Sequence, residues 1–244
     1  MYKRYKSYRG DKEYNLKETT KYTLRKQEMD KEIEIAVAPY IDGKRLTILD
    51  AGCGVGHLTH LLHSLSPSSS FIAIDQADFL IKEAKKLYGA KPNCQFVRGD
   101  IEDYAKDHKK SVDISISRAV LSWVPYYENF LRALFRLTRE HIFLTSLFYE
   151  GDIDFITQVR EFRSNVGKRD FTEYRNVYSL PRFERFARKL GGKAVTVNDF
   201  DIGIDLSKGP VDRLGTYTVR LEGGKRLQIS GAVLMNWKTI RIDI

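Results

Sequence analysis

Between residues 46 and 147, five short apolar runs alternate with stretches of helical periodicity, and the first three lead to an aspartate. Leu46–Leu49 ends at Asp50, Phe71–Ile74 ends at Asp75, and Gln95–Val97 leads to Asp100. Val112–Ser117 and Ile142–Leu147 follow. Runs this short, apolar throughout, suit strands buried on both faces, and helices between them make the connections of a parallel sheet. The pattern predicts a doubly wound α/β sheet whose ligand crevice lies beyond the carboxyl ends of the strands.

Helices are expected at 18–38, 57–65, 77–88, 125–138, 152–166 and 181–190, with Pro39 and Gly43 closing the first. A sixth strand covers about 194–200. Alternation across Gly223-Gly224 reads as a hairpin near 215–231, and 237–244 reads as a final strand. No linker separates a second domain. The chain reads as one domain over 1–244: an N-terminal helical lid (1–40), a cofactor-binding half (45–150) and an acceptor-side half (151–244).

Composition narrows the class. Hydrophobic residues at 42% and charged residues at 30% suit a globular chain. No apolar stretch approaches a membrane span, and no apolar run follows the basic first ten residues, so a secretory signal is not expected. Cys53 and Cys94 stand far apart, which excludes a disulfide framework or a structural zinc site and points to a cytoplasmic protein. No metal site is expected: His57, His60 and His63 cannot converge from one straight helix. The net charge of +9 gathers in residues 1–10 and 160–193, where an anionic partner or a solvated face would account for it.

The chemistry concentrates in Asp50-Ala51-Gly52-Cys53-Gly54-Val55-Gly56. Alternate glycines let the backbone turn and approach a ligand, and the following helix points its first N–H groups at it. His57 stands where a dinucleotide fingerprint needs its third glycine. Asp50, two residues before the first glycine, would repel a pyrophosphate and suits a cationic amino acid head. Asp75 can accept both hydroxyls of a ribose, and Asp100 an adenine amine.

With LTILDAGCGVGHLTHLL, FIAIDQADF, CQFVRGDIEDY and VDISISRAVLSWV in this order, residues 45–150 resemble the class I S-adenosylmethionine-dependent methyltransferases. The resemblance implies a Rossmann-like, mostly parallel seven-stranded sheet with helices on both faces, here with an added C-terminal hairpin. It implies S-adenosylmethionine as cofactor. Asp50 would orient its amine, Gly52, Cys53, Gly54 and Gly56 would form the loop beneath it, and Asp75 would take the ribose. Gln76 would line the adenine pocket, Asp100 and Ile101 would flank the adenine, and Ser117 and Arg118 would lie where donor meets acceptor. Arg118 faces either the cofactor carboxylate or an anionic acceptor.

The acceptor is less legible. Glu150 and Asp152 after the fifth strand, and Tyr127 after the fourth, are candidate bases. Tyr2, Tyr5 and Tyr8, among basic residues, suit base stacking or a cofactor lid. The expected activity is methyl transfer to a small-molecule or sugar (glycan) hydroxyl, with an anionic acceptor suggested by charge. The alternatives are an RNA methyltransferase using the basic face, with nucleic acid as partner, and a non-catalytic cofactor-binding regulatory partner. No motif sets the oligomeric state.

Overall fold

The computed structural model describes residues 16, 20, 26–161, 171–208, 216–230, 233–235 and 237–244. The N-terminal tyrosines and much of the basic 160–170 stretch lie outside them. Helix α1 spans Glu28–Ile41, then β1 Thr47–Ala51, α2 His57–Leu65, β2 Ser70–Asp75, α3 Asp78–Tyr88, β3 Cys94–Arg98, α4 Ile101–Asp107 and β4 Val112–Arg118. A 3-10 turn, Leu121–Trp123, leads to α5 Glu128–Leu137 and β5 Thr138–Tyr149. Beyond them come β6 Gln158–Glu161, β7 Phe171–Tyr174, β8 Tyr178–Ser179, α6 Leu180–Lys189 and β9 Ala194–Asp199. The chain continues with β10 Thr216–Arg220, β11 Arg226–Ser230, β12 Val233–Met235 and β13 Trp237–Asp243.

The main sheet runs β3-β2-β1-β4-β5-β13-β9, with β8 added beside β5. The five strands β1–β5 are mutually parallel, and β13 lies antiparallel to both β5 and β9. This is the doubly wound arrangement expected from the alternation of runs. The strand order reverses between β2 and β4 on either side of β1, so a crevice opens beyond the carboxyl end of β1.

One face of the sheet is covered by α1 and α2. Ile33, Val37 and Ile41 of α1 and Leu58 and Leu62 of α2 pack on Ile48, Ile114, Ile116 and Phe143. The other carries α4, α5 and α6, with Leu131, Leu134 and Phe183 against Leu49, Leu144 and Phe148. Phe183 is fully buried, its ring 5.0 Å from Phe148 and 5.2 Å from Tyr127.

Three local expectations change. The first helix begins only at Glu28, behind an extended Gln27 cap, instead of spanning 18–38 without a break, and it runs on through Pro39 to Ile41, because a proline in the last turn forfeits a single backbone bond. The helix expected at 152–166 is not formed in its described part. Phe155 bridges Val177, and Gln158–Glu161 pairs with β7. The β-branched residues Ile153, Ile156, Thr157 and Val159 favour the extended form there. Helix α4, unannounced by periodicity, is a short helix capped by Asp100, whose carboxylate accepts the Glu102 N–H at 2.7 Å. The expected hairpin is present as β10 and β11, paired from Thr216↔Ser230 to Arg220↔Arg226, with β12 as a third strand.

Phe183→Ala should destabilise the chain by about 3–5 kcal/mol in urea unfolding. Ile35→Ala, at an exposed position of α1, should change stability by about 0.5 kcal/mol or less.

Candidate functional site

Asp50, Asp75, Arg98 and Arg118 end or nearly end four neighbouring strands, β1, β2, β3 and β4, on the carboxyl edge of the sheet. Asp100 follows β3 by two residues. The loop after β1 is folded onto β2: the Gly52 and Cys53 N–H groups both donate to the Ile74 carbonyl, at 2.8 and 3.0 Å. The Gly54 N–H donates to Asp75 Oδ2 at 3.0 Å, while Asp75 Oδ1 accepts the Ala77 N–H at 2.8 Å. One carboxylate thus shapes the loop. An ionised carboxylate has about four acceptor sites, which leaves room for a pair of ligand hydroxyls.

Gly52, Gly54 and Gly56 adopt φ of 80°, 56° and 79°. At two of them packing also demands glycine: a Cβ on Gly52 would lie 2.3 Å from Val120 Cγ2, and one on Gly56 2.6 Å from Phe96 Cε1. Gly56 precedes α2 with no side-chain cap. The first N–H groups of α2, at the carboxyl edge of β1, therefore have no intrahelical partner and no side-chain cap, a setting for a negatively polarised or polar ligand group.

Asp50 is 2% exposed and accepts the Thr59 hydroxyl at 2.6 Å. Burial pushes its pKa up to about 6; Thr59 and Arg118 oppose the rise and the charge of Asp75 adds to it. Asp75 is also pushed up by burial, against the pull of its two amide partners. Two buried acids at the ends of the paired strands β1 and β2 favour a cation beside them.

Beside them lies a cluster that sequence reading missed. Asp30 of α1 is fully buried. Its Oδ1 is 2.9 Å from Arg118 Nε, its Oδ2 is 3.5 Å from His57 Nε2, and the Gln27 N–H donates to Oδ2 at 2.8 Å. Arg118 also donates from Nη2 to the Gln27 side chain. Burial alone would raise the Asp30 pKa, but His57, Arg118 and Gln27 outweigh it and hold the carboxyl below its ordinary value. The signal was present: Asp30, Ile33, Val37 and Ile41 fall at spacings of three, four and four, so an acid occupies the core-facing stripe. Thr59, in the first turn of α2, offered no comparable signal.

The remaining expected residues divide. Gln76 is exposed and donates to Asp100 Oδ2 at 3.2 Å, linking two of the expected adenine contacts. Ile101 belongs to the main core. The Ser117 hydroxyl donates to the Ala51 carbonyl at 2.8 Å and ties β4 to β1. Cys53 is buried, and burial pushes its thiol pKa well up, so it remains a protonated packing group.

The three candidate bases are each committed elsewhere. Glu150 lies 3.3 Å from the ammonium of Lys238, a residue only 3% exposed that also pairs with Asp199. Asp152 pairs with Arg185 at 2.7 Å rather than capping a helix. Tyr127 sits among Tyr178, Phe183 and Phe186, and burial pushes its hydroxyl up to about 12. Among the described residues no group of histidine, cysteine and acidic side chains could hold a metal, and no helix is long and apolar enough to cross a membrane.

Residues 42–178 match the family described as "Methyltransferase domain". Trans-aconitate 2-methyltransferase of Escherichia fergusonii is 38% identical over 84 residues, which are 34% of this chain and 31% of that protein. The matched segment thus spans about a third of that relative's length. Among solved structures, the YcgJ protein of Bacillus subtilis aligns with a TM-score of 0.59 at 13% identity, over 89% of this chain and 98% of that one. An S-adenosylmethionine-dependent methyltransferase of Mesorhizobium loti aligns with a TM-score of 0.56 at 14% identity, over 88% and 98%.

Gly52→Ala should cost about 2–4 kcal/mol, combining a left-handed φ with overpacking against Val120. Gly43→Ala, also at positive φ but with open space around its Cβ, should cost about 1 kcal/mol. Denaturant unfolding of both variants measures the difference.

Proposed function

The chain belongs to the class I S-adenosylmethionine-dependent methyltransferases, and on that premise we propose that it methylates an oxygen of a small anionic molecule. The residues fit the cofactor: a buried acid pair for a cationic head, a glycine-built loop, an uncapped helix terminus, and Asp75 with acceptor capacity to spare. Bound there, S-adenosylmethionine supplies a methyl group already activated for in-line displacement by its sulfonium.

The observation that carries the cofactor assignment is the juxtaposition of Asp50 with Arg118. Asp50 and Arg118 stand at the carboxyl ends of β1 and β4, which are paired strands with Asp50 opposite Ile116, two residues before Arg118. That pair matches an amino acid head, ammonium toward Asp50 and carboxylate toward Arg118. Thr59 orients the first group and Asp30 the second. Gln76 and Asp100 border the adenine end. The chain's contribution to rate is then chiefly orientation of the acceptor near the methyl group. Glu150 and Asp152 are turned to Lys238 and Arg185 and Tyr127 is packed among aromatic rings, so none is aimed at the carboxyl edge as a base, which favours an acceptor that is already an oxyanion.

The match to trans-aconitate 2-methyltransferase supports a small carboxylate acceptor. The basic face offers less to nucleic acid than the charge count suggests. On α6, Arg182 pairs with Asp154 at 3.0 Å and Arg185 with Asp152 at 2.7 Å.

Two measurements test this reading. S-adenosylhomocysteine should bind in calorimetry, and its affinity should depend on pH with a definite sign. Asp50 has a raised pKa in the free chain and is held ionised by the ligand's ammonium, so binding releases a proton below about pH 6. Affinity should be about tenfold weaker at pH 5 than at pH 7 and level above. Asp50→Asn should flatten that profile, and a level wild-type profile would count against the ammonium contact.

In the second measurement, labelled methyl transfer is followed over trans-aconitate, other small carboxylates, phosphorylated and neutral sugars, and RNA. Incorporation is expected with the anionic small molecules, with a KM that rises with salt. Transfer to RNA alone would overturn the acceptor class.

A further inference from the structure

Trp237 opens β13 at the carboxyl edge of the main sheet, paired with Leu147 near the end of β5. Its ring packs with Leu147 and Val177, and Met29, Ala119 and Phe200 adjoin that cluster. The residue is 8% exposed, and its indole N–H has no hydrogen-bond partner among the described residues. An indole nitrogen is a donor only, and a buried one normally finds an acceptor. Leaving it bare costs stability that a phenylalanine in its place would not forfeit.

A second cost lies in the same cluster. Ala119 adopts φ of 58°, in the left-handed region that residues with a side chain seldom occupy. Its N–H donates at 3.0 Å to both the carbonyl and the hydroxyl oxygen of Thr145, which hold the backbone in this form. Strain of this kind persists where surrounding structure enforces it, and it concentrates at ligand sites. Ala119 directly follows Arg118, whose guanidinium is held by Asp30 and Gln27 of the first helix and its cap. Leu147, Val177, Met29 and Phe200 supply an apolar wall with no strong donor in any of their side chains.

We propose that the Trp237 indole N–H is an acceptor-binding group: it donates to an oxygen of a small oxyanion, a carboxylate or a phosphate, seated over Ala119. The inference deepens the methyltransferase reading above and rests on it. It assigns to β13 the donor that fixes which oxygen faces the methyl group. Sequence reading placed Trp237 only as the first residue of a final strand.

The test uses the chain saturated with S-adenosylhomocysteine, titrated calorimetrically with trans-aconitate and, separately, with glucose 6-phosphate. At least one should bind, and which one does so identifies carboxylate or phosphate as the recognised group. Trp237→Phe keeps most of the ring and removes the donor. It should weaken that ligand about tenfold or more while S-adenosylhomocysteine affinity stays within about twofold.

Should Trp237→Phe fail to fold, Trp123→Phe leaves Trp237 as the sole tryptophan of a chain that has two. Its fluorescence should then shift on adding the oxyanion. Unchanged affinity in Trp237→Phe, a flat fluorescence titration, or binding of neither oxyanion to the loaded chain overturns the proposal. Absence of S-adenosylhomocysteine binding would instead overturn the methyltransferase reading itself.

Discussion

The two amide hydrogen bonds accepted by Asp75 set the geometry on which the carboxyl edge depends. They draw the Gly54 N–H from one loop and the Ala77 N–H from another onto a single side chain. The loop after β1 is thereby fixed against β2, and α2 starts from a defined point with its terminal N–H groups open. Asp50 can then be buried beneath the loop, since Thr59 of the same helix supplies its hydrogen bond. Burial of that carboxyl is costly while it is charged, and this makes the site responsive to a cation.

A second carboxylate performs the corresponding task on the other side of the crevice. Asp30 stays ionised inside the protein because it is met by a guanidinium, an imidazole and a backbone N–H of its own helix cap. Removing any one partner would leave a buried charge under-compensated, the costly case for an ion pair. The site is therefore built from opposing tendencies: Asp50 drifts toward neutrality, and Asp30 is held away from it.

Much of this was legible in the sequence because strand ends and glycines obey local rules. The loop glycines were found from spacing alone, and α2 begins and ends where its apolar pattern predicted. Local rules also explain the misses. An apolar stripe does not announce Asp30, because burial of an acid depends on its partner Arg118, 88 positions away in the chain. Helix α4 has only seven residues, too few for periodicity to register. The extended segment at 158–161 owes its form to pairing with β7 and to the Phe155–Val177 bridge, partners that no window of sequence contains. Glu150, Asp152 and Tyr127 looked free for the same reason: Lys238, Arg185 and Phe183 are distant in sequence.

The insertion of β13 between β5 and β9 has a consequence for assembly. Among the described residues β9 has no neighbour in the main sheet but β13, although it is made some forty residues earlier. The five parallel strands can associate as they emerge, since each finds its partner among strands already made. The far edge must wait for a strand from much later in the chain, and pairings of high sequence separation form slowly. A nascent chain would thus complete the edge that carries Asp50 and Asp75 while β13, Trp237 included, is still missing. During that interval β5 presents an unpaired, largely apolar edge, the part of this fold most exposed to misassociation.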